Sequence, residues 1–208
     1  MEKVLKLEVK NNIPEFKKFL SGKVRKQIPF ASAMAINQTL GIGRGFKDKG
    51  LDREMAKQME AKLDNPRPQT KKAFFRRFAN KKTLTGVLGF VEWANEFMQY
   101  QVFGGMRTTG KNIPVPFEKN IRLNKFGNIP GKRKGLIKKQ NQFFADIGGV
   151  EGVYERHKNR TIKLLIGFEK SVNYEIKFPF FKIAENYSMN MYPRNFTKQF
   201  NKAMKNAK

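Results

Sequence analysis

The chain has 208 residues, the size of one domain or of one domain with extensions, and a 39% hydrophobic share is enough for a real core. Forty-three Lys and Arg against 17 Asp and Glu leave a net charge of +26, which attracts polyanions or acidic surfaces. The absence of cysteine excludes disulfides and thiolate metal ligands, and 20 Phe within a 12% aromatic share exclude a disordered composition.

A coding bias toward A and T would account for Lys over Arg, but not for the shortage of acids. The opening MEKVLKLEVK lacks the apolar run of a signal peptide, and no stretch approaches the length of a membrane span. A reducing cytoplasm is the expected place of synthesis.

Val4 to Val9 alternate apolar and polar residues, which predicts a short strand. Phe16, Phe19 and Leu20 follow at helical spacing. Gly22 to Leu40 reads as a helix through Val24, Ile28, Ala31, Ala35, Ile36 and Leu40, with Pro29 expected to kink it or to mark a fresh first turn. GIGRGFKDKG has four glycines and reads either as a loop or as a loosened join in a helical hairpin. Leu51, Met55, Met59 and Leu63 lie four apart, predicting a helix over 51–64 that the prolines of DNPRPQT end.

Strands are predicted at Ala73–Phe78 and Thr83–Phe90 around a turn at residues 79–82. VEWANEFMQYQVFGG reads as a helix stopped by Gly104 and Gly105, with Trp93, Phe97 and Tyr100 sharing a face expected to pack into the core. Met106–Gln140 is the least regular part, with Pro114, Pro116 and Pro130, and reads as an irregular basic arm. Strand-like runs follow in QFFADI, VEGVYER and TIKLLIGF, with Lys163–Ile166 as a central strand and YEIKF as one more extended piece. The end of the chain reads as helix with a break near Pro193. The expected fold class is α+β: N-terminal helices, a mostly antiparallel sheet and a C-terminal helix, in a single domain over 1–208.

Catalytic constellations are hard to assemble from these residues. His157, the only histidine, sits among basic residues in a predicted turn and reads as an exposed structural side chain. Asp48 with Asp52, Glu60 with Asp64, and Glu151 with Glu155 could hold magnesium for a nuclease, but each pair reads more simply as solvated charge. Ser21, Ser32, Ser171 and Ser188 lack a nucleophile-elbow context. GIGRG has no Gly-Lys-Ser/Thr after it and reads as a hinge or loop, not a phosphate cradle. No catalytic, cofactor or metal site is expected.

Basic clusters point instead to macromolecular contacts. Lys71, Lys72, Arg76, Arg77, Lys81 and Lys82 interleave with Phe74, Phe75 and Phe78, either as a stacking surface or as a strand with one buried face. Lys111, Lys132, Arg133, Lys134, Lys138 and Lys139 in the basic arm are candidate contacts to DNA or to an acidic partner. No base-reading motif accompanies them.

Four stretches carry a resemblance: KQIPFASAMAINQT (26–39), LDNPRPQTKKAFF (63–75), FGGMR (103–107) and FPFFKIAENY (178–187). In order and spacing they resemble the minor tail protein Z and tail-completion, or neck, proteins of tailed bacteriophages. The resemblance implies a non-enzymatic virion protein, acting as copies in a ring that joins portal or adaptor proteins to the tail terminator or tail tube. It also makes Phe103, Met106, Arg107, Phe180 and Phe181 candidate assembly residues, and the basic arm an assembly element near packaged DNA or acidic neighbours. The alternative expectation is a sequence-nonspecific nucleic-acid-binding protein.

Overall fold

The computed structural model describes residues 6–9, 22–43, 45–47, 49–129 and 139–206. The helical spacing at Phe16, Phe19 and Leu20 and residues 130–138 of the expected basic arm lie outside the described residues. The architecture is α+β, as expected, but the chain divides into two compact units rather than one: Met1–Phe103 with Ile176–Lys208, and Gly104–Glu175.

The first unit holds a three-stranded antiparallel sheet in the order β1 (Lys6–Val9), β3 (Gly86–Phe90), β2 (Phe74–Arg77). Around it are helices α1 (Gly22–Leu40), α2 (Leu51–Lys62), the single turn α3 (Pro68–Lys71), α4 (Glu92–Phe103) and α5 (Phe180–Lys205). All five residues of β3 are buried, as its place between two strands requires. Phe90 anchors the core: its ring centroid lies 5.0 Å from that of Phe74, 5.4 Å from Phe180 and 6.5 Å from Phe178. Leu51, Met55 and Met59 of α2 are fully buried, in accord with their spacing. Gly86 lets α1 close on the sheet, since a Cβ there would lie 2.8 Å from both Ile36 Cγ2 and Leu40 Cδ1.

Three consecutive polar residues of α1 tie the unit together. Asn37 Nδ2 donates to Ala79 O at 3.0 Å, while its Oδ1 accepts from Ala79 N at 2.8 Å. Gln199 Nε2 donates to Gln38 Oε1 at 2.7 Å, and Asn195 Nδ2 donates to Thr39 Oγ1 at 3.0 Å. Buried polar groups demand such partners. Asn37→Ala leaves both backbone groups of buried Ala79 unsatisfied and is expected to cost about 2 kcal/mol in urea unfolding.

Neither proline interrupts its helix. α1 runs through Pro29 and α5 through Pro193, so the expected restart and the expected break give way to continuous elements. Each loses one backbone bond. Packed residues on both sides hold the line: Ile28 and Ala31 about Pro29, and Ala184, Asn195, Gln199 and Ala203 along α5.

The glycine-rich stretch after α1 is a closed loop. Gly41, Gly43 and Gly45 take φ of 74°, 104° and 86°, a region that side chains disfavour. Gly41 and Gly50 meet where the loop shuts, and Gly41 also abuts the Asp52 carboxylate.

The aromatic stripe of α4 packs on the core only in part: Phe97 lies against the core cluster, but the most buried face is another. Ala94, Asn95, Met98 and Val102 are buried, while Trp93 is 50% exposed and Phe97 and Tyr100 are half-buried. Ala94, Met98 and Val102 join the core cluster that Phe74, Phe90, Phe178 and Phe180 also build.

The second unit is a four-stranded antiparallel sheet ordered β4 (Gly105–Pro116), β7 (Ile162–Tyr174), β6 (Val150–Arg156), β5 (Gln142–Ile147). Lys163–Ile166 is indeed in a central strand. The arm expected as irregular from Met106 begins as a strand. Among the described residues β4 pairs with β7 alone, and an edge strand tolerates Pro114 and Pro116 because its outer side has no ladder to complete there. Its register shifts between Thr108 and Ile113. β5 and β6 join through Gly148 and Gly149, with φ of 65° and 80°, the signature of a tight hairpin turn. The small core of Val153, Leu165 and Ile166 is covered by Ile121, Ile129 and Phe168. Phe117 N donates to Leu165 O at 2.9 Å and Asn120 Nδ2 to Leu164 O at 2.7 Å, which fastens the segment after β4 to the sheet. YEIKF is not a separate strand: Tyr174 ends β7 and the remainder joins no sheet.

Candidate assembly surfaces

The five residues marked for assembly fall into different environments. Phe180 is fully buried and belongs to the core, so it is not a surface residue. Its neighbour Phe181, on the next face of α5, is exposed and packs on Phe103 with centroids 5.9 Å apart. Two backbone bonds hold that pair in place: Lys177 N and Phe178 N both donate to Gln101 O, at 3.0 and 2.9 Å. The end of α4 is thereby fastened to the entry of α5. Met106, 66% exposed, and half-buried Arg107 open β4 in the second unit.

Trp93 adds an aromatic site that the helical pattern hid. It lies 6.0 Å from Phe97 on α4, outside the buried face. Phe78 is 60% exposed, whereas Phe74 of the same segment is buried and Phe75 half-buried. The Phe–Arg alternation of β2 is therefore a strand with one core face that ends in an exposed ring. Phe30, also exposed, carries Lys81 Nζ 5.2 Å from its ring centroid, a cation–π contact. Trp93→Ser is expected to change unfolding stability by no more than about 0.5 kcal/mol, measured by urea denaturation followed by circular dichroism.

Of the basic contacts, Lys132, Arg133, Lys134 and Lys138 lie outside the described residues. Lys111 lies in β4, within the register shift. Lys139 is exposed and bridges to Glu155 at 3.3 Å.

The acid pairs separate. Asp48 lies outside the described residues. Asp52, expected as solvated charge, is 3% exposed and bonded to Arg76 at 2.9 Å. Its carboxylate also accepts from Gly50 N at 3.2 Å and Arg53 N at 2.8 Å, so it fastens the glycine loop to the start of α2 and to β2. Glu60 pairs with Lys71, and Asp64 with Lys177 at 2.9 Å. The Lys177 hydrogen bond and charge hold the Asp64 carboxyl below its ordinary range. Glu151 accepts from Asn112 Nδ2 at 2.8 Å. Burial pushes the Glu155 carboxyl up, but hydrogen bonds from Asn141 and Lys139, with the charges of Lys139 and His157, outweigh it and leave it lowered. Burial, then the charges of Glu54 and Asp52, raise the Tyr187 phenol.

His157, expected to be exposed, is half-buried at the β6–β7 turn, where its backbone N donates to Thr161 O at 2.9 Å. Ser32 is buried and donates to Ile28 O at 2.8 Å, a local helix bond that occupies its hydroxyl. Among the described residues no helix is long and apolar enough to cross a membrane, and no three His, Asp or Glu side chains are grouped to hold a metal ion. Comparison of the chain with protein-family models, with curated proteins and with solved structures finds no match in any of the three.

Proposed function

We propose that the chain is a structural protein of a tailed-bacteriophage virion, a neck or tail-completion component that assembles as a ring and joins the portal side to the tail. The observation that carries this reading is the place of the resembling stretches in the fold. Three of the four supply the heart of the first unit: Asn37 to Thr39 of α1 tie it to residue 79 and to α5, while Phe74, Phe178 and Phe180 gather on Phe90. The fourth, FGGMR, is the stretch where the first unit passes into the second. Residues that define a family by building its frame would be arranged in this way.

The surface suits docking. Phe103, Phe181, Trp93 and Met106 stay exposed on a chain of net charge +26. Charge complementarity steers docking and suppresses premature self-association, and the apolar anchors favour oppositely charged, partly apolar partners. No reaction is assigned to the chain.

Reconstitution tests the reading. Heads and tails made without this chain are expected to remain apart and to join, with infectivity restored, when the purified protein is added. Full joining in its absence would contradict the proposal.

A further inference from the structure

The first unit carries a cleft of about 460 Å³ bounded by α2, α3 and β2. Six cationic side chains line it, Lys47, Arg53, Lys57, Lys71, Lys72 and Arg76, against the carboxylates of Asp52 and Glu60. Both carboxylates are committed within the protein: Asp52 to Arg76 and two backbone N–H groups, Glu60 to Lys71. Lys47, Arg53, Lys57 and Lys72 are exposed and form no ion pair among the described residues. Arg53 and Lys57 stand four apart on α2 and therefore present their charges side by side. Arg76 adds a directional donor: its terminal nitrogens reach Asp52 and Phe74 O, while its Nε is buried without an acceptor among the described residues.

Cations gathered in one concavity repel each other, and an anion in the cleft relieves that repulsion. The volume lies within the range of ligand-sized pockets. Lysine ammoniums bind phosphate as compact point charges, and an arginine fork can engage two phosphate oxygens at once.

We propose that this cleft binds phosphate groups, those of a nucleic-acid backbone or of a free phosphate compound. Binding there is sequence-blind and salt-sensitive, because each neutralised phosphate releases a condensed counterion. The site is separate in sequence from the 132–139 stretch, and it stands independently of the virion reading.

Fluorescence anisotropy of a labelled DNA duplex with the full chain, between about 50 and 200 mM salt, tests the proposal. Replacing both Lys57 and Lys72 by Gln removes two exposed charges and is expected to leave the circular dichroism unchanged. Affinity at low salt should fall roughly tenfold, and the slope of log affinity against log salt should flatten by about two. A control with Lys163→Gln and Lys170→Gln, exposed residues of the second unit, removes equal charge and should stay within about twofold of the parent protein. Titration calorimetry with inorganic pyrophosphate forms the second arm. Cleft-dependent binding of DNA alone assigns the backbone as the source, and of pyrophosphate alone a free compound. An equal loss in both double variants, or no loss of either ligand from the cleft variant, would overturn the proposal.

Discussion

Phe90→Ala is expected to destabilise the first unit by about 4 kcal/mol, the largest effect of any single truncation considered. The ring is 1% exposed and touches three others, two of which belong to the entry of α5 and one to β2. Truncation removes the burial free energy of the ring and leaves a cavity that rings on three sides cannot collapse to fill. The lone Trp93 lies in the same unit and serves as the fluorescent probe in urea. Phe90→Leu, which keeps most of the volume, should lose far less. A loss below about 1 kcal/mol for the Ala variant would mean that the Phe cluster does not organise the unit.

Gly50→Ala should cost about 3 kcal/mol for a different reason, overpacking against main chain. The residue's φ is −118°, so the backbone conformation itself would accept alanine. The added Cβ, however, would collide with Gly41 N and come within 2.6 Å of Gly41 Cα and 2.8 Å of Gln38 O. Those atoms are main chain at the end of α1 and in the residue after it, and cannot turn aside as a side chain would. A fall in Tm of roughly 6–12 °C is the expected reading by calorimetry. Gly22→Ala is the matched control, since a Cβ there meets nothing within 4 Å. Its Tm should not fall. Equal effects of the two substitutions would refute the closed-loop account.

That loop illustrates what the sequence held and what it withheld. Four glycines announced a departure from helix, yet only the fold reveals that two of them press together while Asp52 clamps the site. Asp52 read as solvated charge because its partner Arg76 lies 24 residues away. Local spacing cannot report such a pair. By contrast, the α+β class and the face of α2 were legible, because each depends on periodicity.

The readings that failed did so through tertiary context. Pro114 and Pro116 suggested irregular chain, but they stand on a strand with one neighbour among the described residues. Pro29 suggested a kink or a fresh first turn and Pro193 a break, but packing on either side carries both helices through. Trp93, Phe97 and Tyr100 share a face, but Ala94, Met98 and Val102 are the residues α4 buries, with Phe97 packed against the core and Trp93 left exposed. The same competition explains Phe180 and Phe181. Adjacent in sequence and identical in type, one closes the core and the other is left exposed against Phe103.

Cryo-electron microscopy of purified virions tests the docking role most directly. The account predicts a ring of copies of this chain between portal and tail, with Phe103, Phe181 and Met106 covered by neighbouring proteins. Infectious particles that lack the chain altogether, shown by mass spectrometry, would contradict it.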